Sequence, residues 1–190
     1  MIFTLRELLD LVIMTVAIGY IFSAYVRRDP LEGYDPIVHY SKNRFVEDIK
    51  QGTLIAAPAI VLHELAHKFV AMAFGATATL HAPLGWYALV VAMRLLNFPL
   101  LFFVGGYVTI QTPLPPLESA IVSFAGPLTN LLLYLIITAA IRFGLIHRKY
   151  YQIASMSGRL NLFLFIFNMI PLPGFDGYNF FSKLVQFLFR

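Results

Sequence analysis

GTLIAAPAIVLHELAHKFVAMAFG, residues 52–75, is an apolar run of membrane length broken at one place, by His63, Glu64, His67 and Lys68. A bilayer core of about 30 Å takes roughly 20 residues of helix, and ionisable side chains at that depth are costly enough to mark a functional site by default. His63-Glu64-Leu65-Ala66-His67 follows the H-E-x-x-H pattern. Positions i and i+4 share one helical face, so both imidazoles can reach one ion at about 2.0–2.1 Å. Glu64, beside the first ligand, can approach a metal-bound water and accept its proton as hydroxide attacks a carbonyl. The competing reading is a polar helix end at the membrane surface, with histidines that are only hydrogen-bonded.

Composition agrees with the membrane reading. The 190 residues are 59% hydrophobic, 15% aromatic and only 13% charged, a balance for which lipid is the natural solvent. A net charge of +4, spread along the chain without a basic block, gives no nucleic-acid footprint. Cysteine is absent, so any metal must be held by His, Asp and Glu. The length suits one domain, divided here into an N-terminal transmembrane helix with a charged connector (1–51) and a transmembrane core (52–190).

Four segments meet the length and apolarity of a span: Leu8 to Val26, Gly52 to Gly75, Ser119 to Phe143, and Leu160 to about Phe189. The first lacks a small-residue cleavage site and ends at Arg27-Arg28, which suits a retained anchor. The connector Arg27 to Gln51 and the basic loop Arg142 to Arg159 join the spans. Between the second and third lie two shorter apolar runs, Leu84 to Met93 and Phe98 to Val104. β-Branched and aromatic residues around Val104, Tyr107, Val108 and Ile110 favour extended structure. The expected fold class is an all-α polytopic membrane protein of about four transmembrane helices, with a re-entrant β-hairpin element between the second and third. Two further spans in that stretch are the alternative.

Two histidines and a water leave a tetrahedral zinc one ligand short. Asp176 lies in Asn168-Met169-Ile170-Pro171-Leu172-Pro173-Gly174-Phe175-Asp176-Gly177, where prolines and glycines break the last apolar segment and admit a carboxylate. Coordination to a cation would explain that placement; a turn aspartate at the membrane surface is the other reading.

The motifs together resemble the site-2 protease family of intramembrane zinc metalloproteases, in a compact form without PDZ or CBS domains. That family pairs H-E-x-x-H on one transmembrane helix with N-x-x-P…D-G on a later one, seen here as His63 to His67 and Asn168 to Gly177. The resemblance implies that Asp176 is the third ligand of one Zn2+ per chain, with Glu64 catalytic. It also implies a substrate that is a membrane protein cut within or near a transmembrane segment, at the cell membrane of a prokaryote. Gly126-Pro127-Leu128-Thr129-Asn130 resembles the family's G-P-x-x-N signature. Asn130 then either aims an amide at the substrate or oxyanion or ties two helices together. Asn168 is expected to orient a ligand or fix the loop. Gly105-Gly106-Tyr107-Val108 resembles the family's membrane-associated β-loop, whose edge can pair with an unwound substrate strand; a surface loop is the alternative.

Other readings have discriminators. A non-catalytic metal-binding or helix-docking relative would not need Glu64, and a prenyl-protein protease would call for a downstream glutamate ligand. On orientation two arguments oppose each other. Positive charge places the connector and the Arg142–Arg159 loop in the cytoplasm, whereas the family arrangement puts the catalytic end of the second helix there. His39, His81 and His147 read as surface histidines. Lys68 is expected to snorkel to the interface, and Glu7 and Asp10 lie outside apolar context.

Overall fold

The computed structural model describes residues 2–26, 42–96 and 105–189. Helix α1 (Leu5–Phe22) starts on a capping box: Thr4 Oγ1 accepts from the Glu7 N–H, and the Glu7 carboxylate accepts from the Thr4 N–H. A 3-10 turn, Ser23–Tyr25, closes it. Helix α2 (Lys42–Ala73) carries the H-E-x-x-H motif and begins well before Gly52. Strand β1 (Ala78–His81), helix α3 (Leu84–Leu95) and strand β2 (Tyr107–Ile110) follow. Helix α4 (Pro116–Arg142) opens with proline in its first turn, where the missing N–H costs nothing. A 3-10 turn, Arg148–Tyr150, leads into α5 (Tyr151–Asn168), and α6 (Asp176–Leu188) ends the described chain.

Helices α2 and α4 form the centre. Helix α2 packs against α1, α4 and α5, while α4 also packs against α5 and α6. Small residues bring α1 and α2 into backbone contact: a Cβ at Gly52 would stand 2.6 Å from both the Gly19 carbonyl oxygen and the Ser23 nitrogen. This close approach is how helices associate where lipid removes the hydrophobic drive.

Polarity runs inside out. Helix α1 buries Glu7 and Asp10 while exposing Leu5, Leu8, Leu9, Val12 and Val16. Helix α4 buries Asn130 and exposes Leu132, Leu135 and Ile136. A water-soluble helix shows the opposite arrangement, so these outer faces suit hydrocarbon. Among the described residues, three helical segments are long and apolar enough to cross a membrane: Leu5–Tyr25, Phe45–Ala73 and Pro116–Arg142.

The fold departs from expectation in three places. The last span is divided into α5 and α6, because Pro171 and Pro173 remove donors and Gly174 turns the chain at φ 96°. The expected hairpin is instead a two-stranded antiparallel sheet whose strands flank α3, pairing Ala78 with Ile110 and His81 with Tyr107. The Leu84–Met93 run is thus helical, while the Phe98–Val104 run and His39 lie outside the described residues. Lastly, Lys68 does not snorkel. It is 2% exposed, held by Glu7 at 2.5 Å, and Glu7 and Asp10 face inward too.

Candidate metal centre

One turn of α2 places His63 and His67 toward α4, with imidazole centroids 4.7 Å apart. Each ring is fixed through Nδ1. His67 Nδ1 donates to the Val122 carbonyl of α4 at 2.7 Å, and His63 Nδ1 donates to Asn130 Oδ1 at 2.6 Å. The Asn130 amide orientation follows from its own partners. Its nitrogen donates to the Ala59 carbonyl at 2.9 Å and to Asn161 Oδ1 at 3.0 Å, leaving the oxygen for His63. Asn161 in turn donates to the Ser157 carbonyl at 2.9 Å.

With both Nδ1 atoms protonated, both Nε2 lone pairs face inward, 3.1 Å apart. Asp176, in the first turn of α6, brings Oδ2 to 3.0 Å from His63 Nε2 and 3.3 Å from His67 Nε2. Three acceptors converge there, and a cation between them would satisfy all three. Ligands at 2.0–2.1 Å from a tetrahedral zinc stand about 3.3–3.4 Å from one another, close to these spacings. The donor set of two imidazoles and a carboxylate fits zinc.

Gly126 makes this closeness possible. A Cβ there would overlap His67 Nε2 and lie 2.6 Å from His63 Nε2. The glycine of the Gly126-Pro127 pair is therefore a seat for the two imidazoles.

Glu64 is buried and belongs to none of the three ligand positions. Its side chain lies against the Gly105-Gly106 backbone: a Cβ at Gly105 would stand 3.7 Å from Glu64 Oε1, and one at Gly106 3.2 Å from Glu64 Cγ. A cavity of about 360 Å3 opens over the centre, lined among others by Glu64, Gly106, Val108, Ile110, Asn168 and Asp176.

Strand β2 borders that cavity with a defined edge. The Gln111 N–H bonds the Thr77 carbonyl at 2.9 Å, so hydrogen-bonded pairs fall at 77/111, 79/109 and 81/107. The N–H and C=O of Val108 and Ile110 then point away from β1, in the same row as the Gly106 N–H. Of the four residues expected to pair with substrate, Val108 offers its backbone. Tyr107 pairs with His81, Gly106 lies against the Glu64 side chain, and the Gly105 carbonyl accepts from Tyr87 Oη. Asn130 is fully buried with its amide committed to three neighbours, and Asn168 lines the cavity on the α5 side.

Sequence reasoning missed Asn161, although an amide within the apolar run Leu160–Phe167 is a signal in itself. It missed Tyr87 and the Glu7–Lys68 contact as well, which have no local signature.

Comparison with known proteins agrees with the geometry. Peptidase family M50 matches residues 52–147, just over half of the chain, a region that ends before Asp176. Three relatives are each named a putative zinc metalloprotease. MJ0611 of Methanocaldococcus jannaschii is 32% identical over 92% of this chain and 83% of its own length. Rip2 of Mycolicibacterium smegmatis is 30% identical over 64% of this chain and 52% of its own. YwhC of Bacillus subtilis is 32% identical over 70% of this chain and 67% of its own. No solved structure gives a significant match. With the H-E-x-x-H motif inside the matched region and a likeness to MJ0611 over 92% of the chain, the chain belongs to peptidase family M50, the site-2 protease family of intramembrane zinc metalloproteases.

Proposed function

We propose that this protein is a zinc-dependent endopeptidase that cuts a peptide bond within or near a transmembrane segment of a membrane-protein substrate. The observation that carries the proposal is the place of Glu64. It is buried beside the three ligand atoms without being one of them, and its side chain lies against Gly106, next along the outward row of β2. A purely structural metal site has no use for that carboxylate.

His63, His67 and Asp176 would hold one zinc ion per chain. Bound there, zinc supplies a Lewis acid for the scissile carbonyl and acidifies a water. Glu64 accepts the proton from the attacking water and returns it to the leaving amine nitrogen. Asn130 holds His63 in the tautomer that leaves Nε2 free, and the Val122 carbonyl does the same for His67. That positioning role is favoured over direct oxyanion contact, because the Asn130 amide nitrogen already has two acceptors. Asn168 lines the cavity at the end of α5, where it would orient a ligand or fix the connection that delivers Asp176.

A helical peptide bond is shielded by its own hydrogen bonds, so substrate must be extended to be cut. Val108 and Ile110 offer an extended segment the alternating donors and acceptors of a strand edge. Gly106 lies one two-residue repeat along the same row, which aligns the bound strand with Glu64. Apolar outer faces on α1 and α4 support a multi-pass protein in a bilayer. The archaeal and bacterial relatives support the cell membrane of a prokaryote. The core from residue 52 onward then carries the chemistry, with residues 1–51 as its anchor.

The test is Glu64→Gln in liposomes with a membrane-spanning substrate, with zinc measured by mass spectrometry. Zinc content should stay at about one per chain while cleavage falls by about 10²–10⁴-fold. Cleavage at the wild-type rate would overturn the proposal.

A further inference from the structure

The free edge of β1 is closed by a buried ion pair. Ala78 and Leu80 are the β1 residues whose backbone groups point away from β2, by the same alternation that exposes Val108 and Ile110. Lys68 Nζ donates to the Ala78 carbonyl at 2.7 Å, and Glu7 Oε1 accepts from the Leu80 N–H at 2.9 Å. Lys68 Nζ and Glu7 Oε1 are themselves 2.5 Å apart, with side chains 2% and 3% exposed. One donor and one acceptor thus stand where a third strand would place its own.

Two ionised groups at this depth are expensive, and an apolar pair would dock α1 on α2 as well or better. Matching to the outward groups of β1 gives the charges a reason to be there. An unpaired strand edge in a bilayer must be satisfied by protein or water. Closing one edge with side chains leaves the sheet, among the described residues, a single edge to offer.

We infer that Glu7 and Lys68 are positioning residues for substrate capture: they seal β1 and so hold the β2 edge, Val108 and Ile110, as the one place where a substrate strand adds. Lys68 directly follows the ligand His67, which couples the sheet to the metal-binding turn of α2. Glu7 gives α1 a part in the site, since its other oxygen accepts from the Thr4 N–H at 2.8 Å and fixes the helix start. The inference rests on the proposed endopeptidase reading for its kinetic consequence, though not for its structural one.

Two kinds of variant separate edge sealing from simple charge pairing. The exchange Glu7→Lys with Lys68→Glu keeps an ion pair but sets a carboxylate against the Ala78 carbonyl and an ammonium against the Leu80 N–H. Glu7→Gln keeps the acceptor for Leu80 but removes the counter-charge of Lys68, and is expected to cost stability. Edge sealing predicts that the exchange raises KM for a membrane-spanning substrate roughly tenfold, with kcat and zinc content little changed, because about two hydrogen bonds are lost at the edge. Glu7→Gln should keep KM within about twofold, since its hydrogen bond to the strand persists.

A second readout needs no cleavage. The chain has no cysteine, so Thr79→Cys with Thr109→Cys, opposite one another in the sheet, reports register by disulfide formation. The disulfide should form at the parent rate with Glu7→Gln and several-fold more slowly with the exchange. If the exchange does not fold, Lys68→Met carries the same expectation of higher KM and slower disulfide. Parent-like KM and disulfide rate in the exchange, with both impaired in Glu7→Gln, would overturn edge sealing in favour of charge pairing. Unchanged values in both the exchange and Lys68→Met would overturn it too. If the parent protein cleaves nothing, the endopeptidase reading fails while the disulfide result still decides this one.

Discussion

Gly126→Ala should damage the metal centre without touching a ligand. The added methyl carbon would lie 2.6 Å from His63 Nε2 and 2.7 Å from His63 Cε1, and would overlap His67 Nε2. Either the His63 ring retreats by about 0.8 Å to restore ordinary contact at 3.4 Å, or α4 moves away from α2. Neither motion is free. The rings are tethered through Nδ1 at 2.6 and 2.7 Å to α4 itself, so moving α4 drags their anchors. A workable zinc site tolerates ligand distances within about ±0.2 Å, well below that displacement. Overpacking of a closely packed site costs about 1–3 kcal/mol, which is roughly a 5- to 150-fold loss of zinc affinity. Competition against a chromogenic chelator in detergent measures it, and thermal melts without zinc show whether the helices still assemble. Zinc affinity within twofold of the parent in a protein that melts normally would refute the claim that Gly126 seats the imidazoles.

The amide relay gives a graded series by the same titration. Asn130→Ala strips His63 Nδ1 of its acceptor and should weaken zinc binding by about 10–100-fold. Asn161→Leu leaves the His63–Asn130 bond in place and frees only one amide proton, so its loss should be smaller, a few-fold. The double variant should match Asn130→Ala alone, because the two residues act through one path. Additive losses would show that Asn161 acts elsewhere.

How much of this was legible in the sequence depended on range. His63 and His67 could be read as a candidate ligand pair because a spacing of four puts them on one helical face, and Glu64 because it stands beside the first of them. Asp176 was readable because Pro171, Pro173 and Gly174 mark a break in an apolar segment. The same breakers ended α5 at Asn168 and started α6 at Asp176, so the single expected span became two helices. Glu7 was opaque for a different reason. Locally it is a capping-box glutamate, which gives no hint of a lysine 61 positions away. Strand β1 was equally hidden: four residues make a weak local signal, and their partner lies beyond α3. Asn130 carried two readings until its neighbours were known, since an amide in a membrane helix serves substrate or packing equally well in sequence. Three hydrogen bonds to His63, Ala59 and Asn161 favour the positioning role.

The zinc X-ray absorption spectrum of the purified protein, taken beside that of Asp176→Ala, tests the account most directly. It should give two imidazole nitrogens at about 2.0–2.1 Å plus carboxylate oxygen in the parent protein, with the carboxylate contribution and most of the bound zinc lost in Asp176→Ala. A parent spectrum without histidine scattering, or zinc bound equally well and with the same spectrum in Asp176→Ala, would contradict it.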